Sequence, residues 1–466
     1  MATTEQRFAK VLGPFDVFAL AFGAMIGFGW IVLAGDWLST AGTLGASAAF
    51  LIGGVVVLSV GLVYAELVSA LPKTGGEHEY ALKALGARGS FVASWAIALG
   101  YISVVAFEAV AFPYSLEYLW DGFVGPHIWT VADYDVHAGW VAAGVLGAVV
   151  ITWLNYVGIK PSAVFQTVIV VFLLLVGVLM VVGVPVGGST ANMEPLFAGG
   201  SGGLITVLLM TPFLFVGFDV IPQSSEEMNI PYRKMGTLLL ISVAAAVTWY
   251  VLVVLTLGSG LNEAGREASE LPTADALGAM FGSDVIAAIL VLGGLAGIVT
   301  SWNGFMIGAS RILFAMADSG MLPAWLGRLH PKYKTPYTAV LLVGGLSVIA
   351  PFFGRSALLW LTNAGSANIV VSYFLTALSF VVLRRTQPDL ARPFRAGKGP
   401  YVGIIAMVLA LGMFVLYLPG MNAGLVWPQE WLIVAVWWVF GLAALMRMKP
   451  AEVETGKVTG RPTESA

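Results

Sequence analysis

Gly23-Ala24-Met25-Ile26-Gly27-Phe28-Gly29-Trp30 lies in the middle of the first long apolar segment. Three glycines in seven residues weaken a helix where hydrocarbon offers its backbone no water, so the freed N–H and C=O groups must face protein or a cavity. A second weak point, Phe213-Leu214-Phe215-Val216-Gly217-Phe218-Asp219, sits in the sixth apolar segment between Pro212 and Pro222. Two interrupted spans five segments apart are the sequence mark of a midplane ligand site between inverted repeats. The spacing predicts a polar ligand held where the two breaks meet, and so a membrane carrier.

Composition puts the chain in a bilayer. Of 466 residues, 58% are hydrophobic and 11% charged, against about 25% charged in soluble domains. The absence of cysteine excludes disulfides, thiolate metal sites and a cysteine nucleophile. Met1 to Lys10 is polar and lacks an apolar signal core, so the first hydrophobic run is expected to remain as a span.

Runs able to cross about 30 Å of hydrocarbon as helices fall at residues 15–39, 43–70, 90–120, 139–157, 162–186, 201–225, 235–258, 284–317, 338–354, 357–384, 400–419 and 428–447. The expectation is an all-α integral membrane protein of twelve transmembrane helices. It divides into a segment 1–14, a first five-helix repeat 15–186, a second 201–384, two further helices 400–447 and a disordered tail 448–466. With the N-terminus cytoplasmic, all but Arg266 and Arg355 of the 23 basic residues lie on the inner side, as the positive-inside rule requires. Both termini are then cytoplasmic. The loop from Leu71 to Tyr80 reads as a turn and a short amphipathic helix at the inner surface, with Glu77-His78-Glu79 as solvated helix surface. No appended soluble domain and no nucleic-acid motif is visible, and the four histidines have no ligand spacing for a metal. No cofactor is expected.

Several short motifs follow in order: Gly27-Phe28-Gly29; Tyr64-Ala65-Glu66 with Pro72-Lys73-Thr74-Gly75-Gly76 and Tyr80; Asn155-Tyr156-Val157-Gly158-Ile159-Lys160 with Gln166; Gly217-Phe218-Asp219 with Glu226-Glu227-Met228-Asn229-Ile230-Pro231; and Ser310-Arg311 through Gly320 to Pro323. Together, over residues 13 to 340, they resemble the amino acid-polyamine-organocation (APC) superfamily of transporters, the amino acid permeases. The resemblance implies two inverted five-helix repeats of LeuT-like fold plus two extra helices, and a prokaryotic plasma (inner) membrane. It also implies that Lys160 places its ammonium where sodium-coupled proteins of this fold hold an ion between spans 1, 5 and 8. A lysine drawn into a partly dry site can lose its proton near neutral pH, which would make Lys160 the coupling group. The ordinary alternative is an interfacial anchor. Phe28 and Trp30 depart from the small and aliphatic residues usual in that break, so substrate identity is not carried across.

The candidate substrate-binding residues are Ala24, Met25, Ile26, Gly27, Phe28 and Gly29 from the first break, and Phe213, Phe215, Val216, Gly217 and Asp219 from the second. Glu108 of span 3 and Ser301 and Asn303 of span 8 complete the set. Exposed N–H groups at the start of the outer half of span 1 suit a carboxylate. Glu108 is an acid near mid-membrane, where such groups are costly and usually functional; it is a counter-ion for an amine, a proton carrier or a buried hydrogen-bonded acid. Asp219 reads first as an N-cap of the inner half of span 6, and second as a contact for a cationic ligand. Phe213 and Phe215 are gate candidates. Glu66, Arg311 and Glu226-Glu227 are expected in ion pairs closing the inner side. The partners expected are a small amino acid or organic amine, a coupling proton and the lipid bilayer, with sodium coupling, substrate exchange or a channel as alternatives. Oligomeric state is left open.

Overall fold

The computed structural model describes residues 8–27, 29–120, 122–132, 134–421, 424–450 and 453. Phe28 and nearly all of the tail expected to be disordered lie outside the described residues. Among the described residues nine helices are long and apolar enough to cross a membrane, and three shorter apolar helices stand where the sequence places further spans.

The first segment is α1 (Pro14–Met25) followed, across the glycine break, by α2 (Gly29–Val32). Helix α3 (Ala34–Ala70) is two helices joined at Gly42, where φ is +74°, so the residues before Gly42 complete the first span and those after it form the second. Helix α4 (Glu77–Leu119) likewise joins a short helix to span 3 across Gly86, with φ +73°. Next come α5 (Ala138–Val157), α6 (Ile159–Gly187), α7 (Gly200–Phe215), α8 (Val220–Gln223) and α9 (Tyr232–Gly260). After these run α10 (Glu263–Glu267), α11 (Pro272–Phe281), α12 (Asp284–Asp318), α13 (Tyr337–Ile349), α14 (Ser356–Thr386), α15 (Tyr401–Leu416) and α16 (Gln429–Arg447). The expected separation of α13 from α14 is made by a 3-10 turn, Ala350–Phe353, and Gly354.

The packed centre joins α3 to α7 and α9, and α4 to α12 and α14. Around it, Leu146 and Trp153 of α5, and Val164, Val168, Leu175 and Val178 of α6, remain exposed. So large an apolar surface is stable only against lipid. Helix α16 is held by a reciprocal clasp: Trp95 and Trp437 stack at 4.1 Å, and each indole N–H donates to the other's backbone carbonyl.

Between α4 and α5, strands β1 (His127–Val131) and β2 (Tyr134–His137) form an antiparallel hairpin that sets the His127 and His137 rings 5.9 Å apart. One expectation needs correction: Glu77-His78-Glu79 is not solvated helix surface. Glu77 and His78 are fully buried, with the His78 ring nitrogens 2.7 Å from Ser319 Oγ and 3.0 Å from Ser90 Oγ. The short helix docks beneath the span-6 break, where a Cβ on Gly76 would come 2.7 Å from Pro222, and that docking hides the polar face its sequence presents.

Candidate functional site

Helix α1 stops at Met25 and the chain leaves helical geometry at Ile26 (φ −101°, ψ 65°). Its last carbonyls are not left bare. Tyr250 Oη donates to Met25 O at 2.9 Å and Thr300 Oγ1 to Gly23 O at 3.1 Å, so α9 and α12 supply the partners that lipid cannot. In span 6, α7 ends at Phe215, Val216 is extended (ψ 144°), and Gly217 takes φ +130°. A Cβ on Gly217 would lie 2.9 Å from the Ala24 carbonyl carbon and the Met25 nitrogen. The two breaks therefore pack backbone to backbone.

A small cavity of about 20 Å³ lies at this junction, room for about one water. Eight expected residues line it: Ala24, Met25, Gly27, Gly29, Glu108, Phe213, Val216 and Ser301. A Cβ on Gly27 would meet Glu108 Oε1 at 2.7 Å and Ser301 Oγ at 3.0 Å, so the glycine lets both polar side chains reach the break. Val104, Phe107, Leu214, Tyr250 and Phe305 also line it. Helical spacing from Glu108 (Val104) and from Ser301 (Phe305) would have found two of these; Phe107 and Tyr250 carry no such signal.

The other expected residues that the structure describes stand off the cavity. Ile26 is buried beside it. Phe213 meets Phe107 edge-on at 5.8 Å within the lining, whereas Phe215 turns into an aromatic cluster with Tyr250 at 5.3 Å and Phe50 at 6.1 Å. Of the two gate candidates, only Phe213 faces the ligand space. Asp219 does not cap α8 with its side chain, contrary to the first reading of it. Its carboxylate accepts from the Gly217 N–H at 3.1 Å and the Tyr373 hydroxyl at 3.2 Å, so it braces the break from the side facing away from the cavity.

Asn303 belongs to a buried network between spans 1, 5 and 8. Its Oδ1 accepts from Asn155 Nδ2 and Ser162 Oγ, each at 2.8 Å, and its Nδ2 donates to Gln166 Oε1 at 2.9 Å. Gln166 Nε2 in turn donates to Thr300 O at 3.1 Å and Ala19 O at 3.3 Å. Neutral amides and hydroxyls thus meet between these spans, with Asn155 Oδ1 buried and without a partner among the described residues. Lys160 lies outside this network, exposed at the start of α6.

Two buried ion pairs close the end of the protein beneath the breaks. Arg311 of α12 donates to both oxygens of Glu227, at 2.9 and 3.2 Å, with both side chains 1% exposed. Glu66 accepts from Arg384 Nε at 2.7 Å and pairs with Arg392 Nε at 3.0 Å; the Ala396 N–H adds a further bond at 2.8 Å. The extended N-terminal segment straps the same loop, with Leu12 N donating to Glu227 O and Asn229 N to Leu12 O. No group of His, Cys, Asp or Glu among the described residues could hold a metal ion.

Known proteins share this pattern along nearly the whole chain. A family model described as "Amino acid permease" matches residues 12–441. A branched-chain amino acid permease of Bacillus subtilis (strain 168) is 28% identical over 94% of this chain and 92% of its own length. A methylthioribose transporter of the same strain is 28% identical over 94% and 93%, and its aspartate-proton symporter is 26% identical over 89% and 80%. With the broken spans, the cavity between them and this match agreeing, the chain belongs to the amino acid permease family, and it is a membrane transporter rather than an enzyme.

Proposed function

We propose that the protein is a secondary-active permease that carries a small amino acid across the plasma membrane by alternating access, coupled to protons. In this reading twelve spans form two inverted five-helix repeats plus two extra helices, and both termini are cytoplasmic. The observation that carries it is the small cavity between the two span breaks, apolar and aromatic on most sides and bearing one carboxylate, Glu108. The ligand's carboxylate faces the N–H groups at the start of the outer half of span 1, and its ammonium faces Glu108. Val104, Phe107, Val216 and Phe305 offer apolar walls to a small apolar side chain once the cavity widens to admit ligand, in keeping with the branched-chain permease among the relatives. Phe213, packed on Phe107, is the ring that moves to admit ligand. The buried Arg311–Glu227 and Glu66–Arg384 pairs keep the cytoplasmic half shut in this conformation. Lys160 takes part in coupling in a conformation that draws it inward.

Glu108 supports a second reading, an amine carrier whose ligand lacks a carboxylate. Thermal unfolding in mild detergent against L-leucine, L-alanine, L-aspartate, L-arginine and putrescine separates the two. A ligand at a hundredfold excess over its Kd stabilises the folded state by about 2.7 kcal/mol. Stabilisation by amino acids and not putrescine supports the permease; the reverse supports the amine carrier. Glu108→Gln is expected to remove the stabilisation with little change in the unliganded Tm, and full ligand response in that variant would exclude Glu108 from the site.

A further inference from the structure

On the side of the span-6 break away from the cavity, two acids share one buried enclosure. Glu77, at the start of α4, and Asp219, just before α8, are each 0% exposed. Among the described residues neither forms an ion pair. The enclosure is walled by Tyr64 of α3, Tyr80 and Tyr101 of α4, and Tyr373 of α14; α12 offers it Gly308, against Tyr101 and Val220. The cations nearest this end of the protein do not reach the enclosure: Arg311 pairs with Glu227, Arg384 and Arg392 with Glu66, and Lys73 with Glu79; the His78 ring meets Ser319 and Ser90; and Lys83 and Arg88 of α4 and Arg385 of α14 are exposed. Two adjacent carboxylates with no cation cannot both ionise cheaply at membrane depth.

The hydrogen bonds distinguish the two acids. Asp219 receives two donors, the Gly217 N–H and the Tyr373 hydroxyl, as an anion does. Glu77 receives the Gln223 side-chain N–H on Oε2, and the Tyr64 hydroxyl that faces it donates to Thr376 Oγ1 at 3.3 Å. Its Oε1 and the Gln223 Oε1 are both buried acceptors without a donor. A proton on Glu77 gives the Gln223 oxygen its missing donor and forms a two-bond carboxyl–amide pair.

We propose that Glu77 is the proton-carrying group of the transport cycle, held neutral by Gln223 beside an ionised Asp219. The proposal rests on the proton-coupled carrier reading above. Gly217 is the link to the ligand: its N–H is one of Asp219's donors, and its Cα packs on Ala24 and Met25 of the cavity. A ligand that shifts Met25 or Val216 moves that donor, alters the charge Glu77 faces, and so changes its hold on the proton. When the Arg311–Glu227 pair parts, the carboxyl gives its proton to water on that side and Glu77 is left ionised.

The first readout needs no ligand. A folded protein that keeps a proton its unfolded chain has released loses stability as pH rises. Between roughly pH 5.5 and pH 8, the Tm of the wild-type protein in detergent is expected to fall more steeply than that of Glu77→Gln. Asp219→Asn, which removes the neighbouring charge, is expected to shift the same fall to lower pH, and it serves if Glu77→Gln does not fold. The second readout uses proteoliposomes containing a pH-sensitive dye, with L-leucine and L-arginine as probes. Glu77→Gln is expected to retain counterflow while losing pH-driven accumulation and proton movement. Equal pH slopes in wild type, Glu77→Gln and Asp219→Asn would overturn the proposal. So would loss of pH-driven accumulation in Lys160→Ala but not in Glu77→Gln, or a Tm raised by sodium in the wild type and not in Glu77→Gln. Absence of counterflow in the wild type would instead count against the carrier reading, and the pH slopes would still decide the role of Glu77.

Discussion

Gly217→Ala is expected to abolish uptake and to destabilise the protein by about 2–4 kcal/mol, measured as ligand counterflow and as thermal unfolding in detergent. Two effects add at this position. Its φ of +130° is a conformation that L side chains rarely adopt, at a cost of about 1–3 kcal/mol. The new methyl would also sit 2.9 Å from the carbonyl carbon of Ala24 and the nitrogen of Met25. Those are backbone atoms of the other break, so neither can swing aside. The breaks must separate, and the cavity they jointly line changes shape. Gly27→Ala is milder for the fold, because the atoms it meets belong to the side chains of Glu108 and Ser301, which can turn. It fills the ligand space nonetheless.

Glu227→Ala is expected to cost about 3–5 kcal/mol in the same unfolding measurement, because it leaves the Arg311 guanidinium buried without a counter-ion. Both partners are 1% exposed, and among the described residues the only other side-chain acceptor for Arg311 is Ser310 Oγ, at 2.9 Å. The double replacement Glu227→Leu with Arg311→Met removes both charges and is expected to regain most of that stability. If the pair closes the transport path, the double variant exchanges substrate but accumulates it poorly, since the closed state is no longer favoured. An unaltered Tm in Glu227→Ala would show that the pair contributes little and that the N-terminal strap holds this end shut.

The site was legible where backbone chemistry dictates it. Glycines at 23, 27 and 29 and at 217 mark the two breaks, and both occur there because a bilayer penalises unpaired backbone wherever it is not enclosed. Residues one helical turn from a recognised polar group, such as Phe305 after Ser301, were within reach of the same reasoning. What escaped depends on contacts distant in sequence. Asp219 precedes a helix and looked like its cap, yet its donors are Gly217 on one side and Tyr373, 154 residues away, on the other. Glu77 stands in a polar tripeptide that locally suits a solvated surface; only the docking of that helix against Pro222 and Gln223 buries it. Lys160 follows a motif that resembles an enclosed ion site; in this conformation it is exposed at the start of α6, outside the network of Asn155, Gln166 and Asn303, in which Asn155 Oδ1 has no partner among the described residues.

Uptake of radiolabelled L-leucine and L-arginine into proteoliposomes, with and without the same unlabelled amino acid inside, bears most directly on the junction of the two breaks as the transport site. For at least one of the two, saturable uptake that internal substrate accelerates, and that Gly27→Val removes from a protein that still unfolds cooperatively, is the expected result. Uptake that rises linearly with concentration, ignores internal substrate and survives Gly27→Val would place the pathway elsewhere in the molecule and contradict the account.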